Sequence, residues 1–120
     1  VEDGRHHLKM NGREVFKQAV KRFPEVILEC MDHNNIAADD IDLFLPHQAN
    51  IRINKMVQEK LGLRDNQVFN NIHKYGNTTS ATIPILLGEA YERGRIKKGD
   101  LILMAAFGSG FTWGASLMRW

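Results

Sequence analysis

One histidine and one asparagine have the types and surroundings for polar catalysis. His47 follows a short buried-strand pattern, Ile41, Leu43 and Leu45, and Asn77 lies thirty residues further on in a polar loop. Each comes just before a helical pattern. Both side chains donate hydrogen bonds, so together they could hold a developing oxyanion or enolate. In folds that alternate strands and helices, ligands gather at the carboxyl ends of strands, which is where His47 falls. His and Asn are also ordinary turn residues, and residue type alone leaves both readings open.

Other chemistry fits the sequence poorly. Gly108, Gly110 and Gly114 do not match G-x-G-x-x-G, and a strand pattern follows them where a phosphate loop needs a helix. These glycines instead suit a backbone that passes close to a substrate and exposes amide donors. Ser109 is not in a nucleophile elbow, because Phe107 and Phe111 stand where G-x-S-x-G needs glycine. Cys30, the one thiol, lies on an apolar helical face beside Glu29 and Asp32. Burial and negative neighbours both raise a thiol pKa, so Cys30 reads as packing. The pair His6-His7 has no spaced partner, and His33, His47 and His73 show no zinc spacing, so no metal is expected.

The elements that must position His47 and Asn77 follow from periodicity. Val15, Phe16, Ala19, Val20, Phe23, Ile27, Cys30 and Met31 recur at helical spacing from Asn11 to about Asp32, with a kink or restart predicted at Pro24 and an end at Asn34-Asn35. A turn at residues 37–40 leads to a strand over 41–45, stopped by Pro46. The next helix runs from about Ala49 to Leu61 and closes on Gly62. Val68 to Ile72 reads as a short strand, and the polar loop from His73 to Ser80 brings a cap, Thr79 or Ser80, for a helix carrying Ile83, Leu86, Leu87, Ala90 and Tyr91. Leu101 to Phe107 is a continuous apolar run, and Phe111 to Trp120 forms its antiparallel partner.

Composition sets the class. A chain of 120 residues with 43% hydrophobic and 25% charged residues reads as one soluble globular domain. A net charge of +2 is too small to argue for a nucleic-acid partner. No stretch has the length of a membrane span or the pattern of a secretory signal, and a single cysteine makes no internal disulfide, so a cytoplasmic setting is expected. The chain opens without Met and reads as the tail of something longer.

Three segments, PHQANIRI, KYGNTTSA and AAFGSGFTWG, occur in an order and spacing that resemble the C-terminal half of 3-oxoacyl-acyl carrier protein synthase III, the initiating condensing enzyme of bacterial fatty acid synthesis. The resemblance runs from about Met10 to Trp120. It implies an α/β architecture, the C-terminal half of a thiolase-like fold with a mixed sheet packed with helices, filling residues 1–120. It further implies a catalytic set of a cysteine from the first half with His47 and Asn77 from the second. Cys30 has no counterpart in that set, so the N-terminal half with the nucleophile is missing and the chain alone is expected to be inactive.

In the implied reaction an acyl group passes from coenzyme A to the cysteine. Malonyl-acyl carrier protein then loses carbon dioxide, and its carbanion attacks the acyl thioester. His47 and Asn77 would donate to the malonyl thioester oxygen, and losing one such donor costs roughly 3 kcal/mol, a hundredfold or more in rate. Ser109, where the family usually has glycine, matches the backbone amide of a second oxyanion hole, and Phe107 matches the aromatic residue of the acyl site. Gly12 and Asn50 match positions lining the coenzyme A and pantetheine tunnel. Lys17, Arg52 and Lys60, with Lys55 added, suggest a docking patch for the acidic carrier protein, although Arg13 and Glu59 depart from the common pattern.

The implied partners are acyl-CoA, malonyl-acyl carrier protein, the missing half and, when complete, a second copy in a homodimer, with no cofactor beyond the coenzyme A thioester as substrate. Alternatives are a related polyketide- or quinolone-type condensing enzyme and a non-catalytic module that binds coenzyme A or carrier protein. Isolating one half should expose apolar surface such as Phe107 to Trp113, leaving the chain unstable or oligomeric.

Overall fold

The computed structural model describes residues 9–120, so the pair His6-His7 lies outside the described residues. The element order is α1 (Gly12–His33), β1 (Leu43–Pro46), α2 (Ile51–Leu61), α3 (Ile72–Tyr75), α4 (Thr82–Glu92), β2 (Leu101–Gly108) and β3 (Thr112–Arg119). The three strands form one sheet in the order β1-β2-β3, with β1 parallel and β3 antiparallel to the central β2.

Side-chain alternation divides the sheet's two faces. Phe44, Leu103, Ala105 and Phe107 turn to one side, where Ala19, Phe23, Ile27 and Met31 of α1 and Ile53, Val57 and Leu61 of α2 cover them. Leu43, Leu45 and Ile102 turn to the other and meet Leu86 and Ala90 of α4 with Phe69 and Ile96. A strand sandwiched in this way is apolar at successive positions, which explains the unbroken runs in β1 and β2. β3 is the mostly exposed edge.

Most predicted elements are present, with five corrections. α1 does not restart at Pro24, which is buried within one continuous helix. Packing along the α1 face outweighs the roughly 3 kcal/mol that an interior proline costs. Pro46 ends β1 as a paired residue opposite Ala105 instead of standing beyond it. Residues 68–72 form no strand: Val68 makes a single bridge to Phe44, and the chain then turns into α3. Asn70 and Asn71 bond to distant side chains there, which ends the ladder. Neither Thr79 nor Ser80 caps α4, because both belong to a 3-10 turn over Thr79–Ala81 and Ala81 takes the cap position. Cys30 is only half-buried and lies outside the core.

The predicted helix starts and stops hold elsewhere. Asn11 Oδ1 accepts the Glu14 N–H at 3.2 Å at the start of α1. Gly62, at φ 68°, adopts the left-handed conformation that closes α2 and that residues with a Cβ rarely take.

Candidate active site

His47 is set at the end of β1 by its backbone, whose N–H donates to Ala105 O at 2.8 Å, continuing the β1–β2 ladder. Its half-buried ring bonds through Nδ1 to the hydroxyl of Thr82, the first residue of α4. Burial lowers the pKa of His47 from its ordinary 6.5, so the ring is neutral at pH 7. A neutral imidazole has one N–H to donate and one nitrogen to accept.

Asn77 is exposed in the loop between α3 and α4. Its Oδ1 accepts the Thr79 N–H at 2.9 Å, which leaves its amide N–H groups for another acceptor. Thr79 has φ 53°, a left-handed conformation unusual for a β-branched residue, and this strain lies two residues from Asn77.

A buried polar network joins the two loops. Gln48, 1% exposed, follows His47 directly. Its Oε1 accepts the N–H groups of Asn71 and Ile72, each at 3.0 Å. Its Nε2 donates to Pro46 O at 2.7 Å and Asn70 Oδ1 at 3.0 Å. Asn54 of α2 also donates to Asn70 Oδ1, at 2.9 Å. Asn71 Nδ2 donates to Glu89 Oε2 of α4 at 2.8 Å, and Lys74 and Arg93 pair with the same carboxylate. The hydrogen bond from Asn71, with Lys74 and Arg93 beside it, holds the Glu89 carboxyl below its usual range.

His47, Asn77 and Ser109 line one cavity of about 990 Å³, together with Asn50, Thr82 and Phe107. Ser109 lies outside the left-handed region, so the β2–β3 turn accepts its side chain, and Ser109 N has no backbone partner among the described residues. Gly110 is needed beside it: at φ 145° an added Cβ would stand 3.0 Å from Thr112 N. Asn50 Oδ1 caps α2 by accepting the Arg52 N–H at 2.9 Å. Gly12 does not line the cavity, although its neighbour Asn11 does.

Phe107 is buried, which corrects its place in the expected exposed patch, whereas Phe111 and Trp113 are exposed at 39% and 44%. Phe111 stacks on Phe107 at 5.3 Å between ring centroids. Lys17, Arg52, Lys55 and Lys60 are all exposed on α1 and α2, and Lys60 Nζ donates to Val20 O at 3.0 Å. Sequence reasoning missed Gln48, Asn54, Asn71, Thr82 and Glu89. Asn54 and Glu89 are signalled as polar residues on the buried sides of α2 and α4, whereas Gln48 lies in a turn and Asn71 and Thr82 at helix starts, where polar residues are ordinary.

The pattern of the family described as 3-oxoacyl-[acyl-carrier-protein] synthase III C terminal matches residues 31–120. The chain belongs to this family. Synthase III from Campylobacter jejuni, named beta-ketoacyl-[acyl-carrier-protein] synthase III, is 54% identical over 112 residues, which cover 93% of this chain and 35% of the relative. The crystal structure of synthase III from Aquifex aeolicus superposes with a TM-score of 0.94 at 47% identity, covering 98% of this chain and 38% of that one. That from Thermus thermophilus superposes at 0.93 with 46% identity, covering 97% and 36%. The fold is therefore thiolase-like, as the motifs implied. The chain spans about 35% of the length of its Campylobacter relative.

Proposed function

We propose that the chain supplies the decarboxylation machinery of a condensing enzyme that joins an acyl-CoA starter to malonyl-acyl carrier protein. The observation that carries this reading is the convergence of His47, Asn77 and Ser109 on one cavity at the carboxyl end of the sheet. His47 and Asn77 donate to the thioester oxygen of the malonyl group. The C–C bond to the carboxylate breaks, carbon dioxide leaves, and the electron pair passes into an enolate whose charge those two donors hold. The enolate carbon attacks the acyl thioester on a cysteine of the N-terminal part. Ser109 N stabilises the oxyanion of that attack, and the thiolate leaves with the 3-oxoacyl product formed.

A neutral His47 suits this role. Its one ring N–H donates to the thioester oxygen, and a neutral imidazole is too weak an acid to protonate the enolate that forms there. Asn50 and the start of α1 line the approach for the pantetheine arm. Lys17, Arg52, Lys55 and Lys60 attract the acidic carrier protein, raising encounter rates where a small net charge would not. Without the cysteine the chain performs neither acyl transfer nor condensation by itself.

The test is a chimera in which the chain replaces the matching C-terminal part of the Aquifex aeolicus enzyme, supplied with acetyl-CoA and malonyl-acyl carrier protein. Formation of the 3-oxoacyl product is expected. Carrier-protein binding with no product would point to a non-catalytic binding module instead.

A further inference from the structure

We infer that Thr82 is the positioning residue that fixes the tautomer of His47, placing the ring proton on Nε2. This assignment rests on the condensing role proposed for His47. Thr82 is 2% exposed, and among the described residues the one side-chain partner of its hydroxyl is His47 Nδ1.

Two arrangements satisfy that contact. If Nδ1 carried the proton, it would donate to Thr82 Oγ1, and the Thr82 O–H would be a buried donor with no acceptor among the described residues. If Thr82 donates to Nδ1, its proton is used and what goes unfilled is a hydroxyl lone pair, which is far less costly than an orphaned donor. The second arrangement leaves Nε2–H as the ring's free donor. In a histidine, the hydrogen bond at one nitrogen decides which proton the other carries.

Thr82 comes to His47 through the fold and not through the sequence, since the two are 35 residues apart. The His47 backbone is fixed by Ala105 O and Thr82 stands at the first position of α4, so the ring is gripped between the strand end and the helix start. Threonine suits this place because its methyl group packs while its hydroxyl donates, and its branched Cβ restricts χ1.

The test reads the proton directly. Spectra of ring-¹⁵N histidine are recorded on the Aquifex aeolicus chimera, with His47→Asn to assign the signal. Nδ1 in the unprotonated range and Nε2 in the protonated range are expected for the parent and for Thr82→Ser. Thr82→Val should move the ring toward the other tautomer. In the chimera, it should also lower kcat for malonyl decarboxylation by up to the roughly hundredfold loss of one oxyanion donor, with KM little changed.

A protonated Nδ1 in the parent protein would overturn the assignment, as would unchanged ring shifts in a folded Thr82→Val. The parent spectrum distinguishes the two tautomers whether or not that variant folds. An Nε2–H ring in a chimera that forms no product would support the tautomer and overturn the condensing role.

Discussion

Gln48 and Asn71, 23 residues apart and both buried, are joined by a 3.0 Å hydrogen bond from the Asn71 backbone N–H to Gln48 Oε1. The side chain next to His47 thereby holds the start of α3, the helical turn that leads into the loop carrying Asn77. Replacing Gln48 by Leu keeps the volume but strands the Asn71 and Ile72 amides together. Each orphaned buried donor costs about 1–3 kcal/mol, so Gln48→Leu should destabilise by roughly 3 kcal/mol. Urea unfolding of the chimera checks this.

Thr79 offers a change of the opposite sign. Its φ of 53° stores strain of about 1–3 kcal/mol, and glycine removes it while adding backbone entropy to the unfolded chain. Thr79→Gly should raise stability by roughly 1 kcal/mol while lowering the condensation rate, because the turn whose Thr79 N–H donates to Asn77 Oδ1 loosens. Thermal unfolding and turnover measured on the same preparation test both halves.

These relationships mark where sequence reading stops. The helical faces of α1 and α2 and the β2–β3 pair were legible because burial there repeats with the period of the element, as at Ala19, Phe23 and Ile27. His47 was legible from its place at a strand end. Residues 68–72 were misread because Val68 and Phe69 look like strand, while what decides the local path is the set of bonds from Asn70 and Asn71 to Gln48 and Glu89. Nothing in the sequence beside Thr82 sets it apart. Its partner lies across the fold, and no local period encodes such a contact.

Acidification should weaken the fold in two windows. His47 has a folded pKa below 6.5 and Glu89 one below 4.5. Both are depressed, so in each window the unfolded chain binds more protons and stability falls as pH falls. The His47 contribution is complete above about 6.5 and is lost below it; the Glu89 contribution is lost at lower pH. Urea midpoints of the chimera from neutral to acid pH should show the first decline removed by His47→Asn and the second by Glu89→Gln.

The basic residues of α2 give a kinetic prediction. Reversing Arg52 and Lys55 together to Glu should lower kcat/KM for malonyl-acyl carrier protein by about tenfold and flatten its dependence on salt. With malonyl-CoA as the extender the same variant should behave like the parent, since no acidic protein has to be steered. Steady-state rates across ionic strengths distinguish the two.

The most direct measurement separates the two half-reactions in the chimera. Self-acylation is followed by intact mass after acetyl-CoA, and decarboxylation by release of labelled carbon dioxide from malonyl-acyl carrier protein, for the parent, His47→Ala and Asn77→Ala. Each substitution should leave acylation in place and slow decarboxylation by about a hundredfold or more. Variants that decarboxylate at the parental rate would contradict the role given to His47 and Asn77.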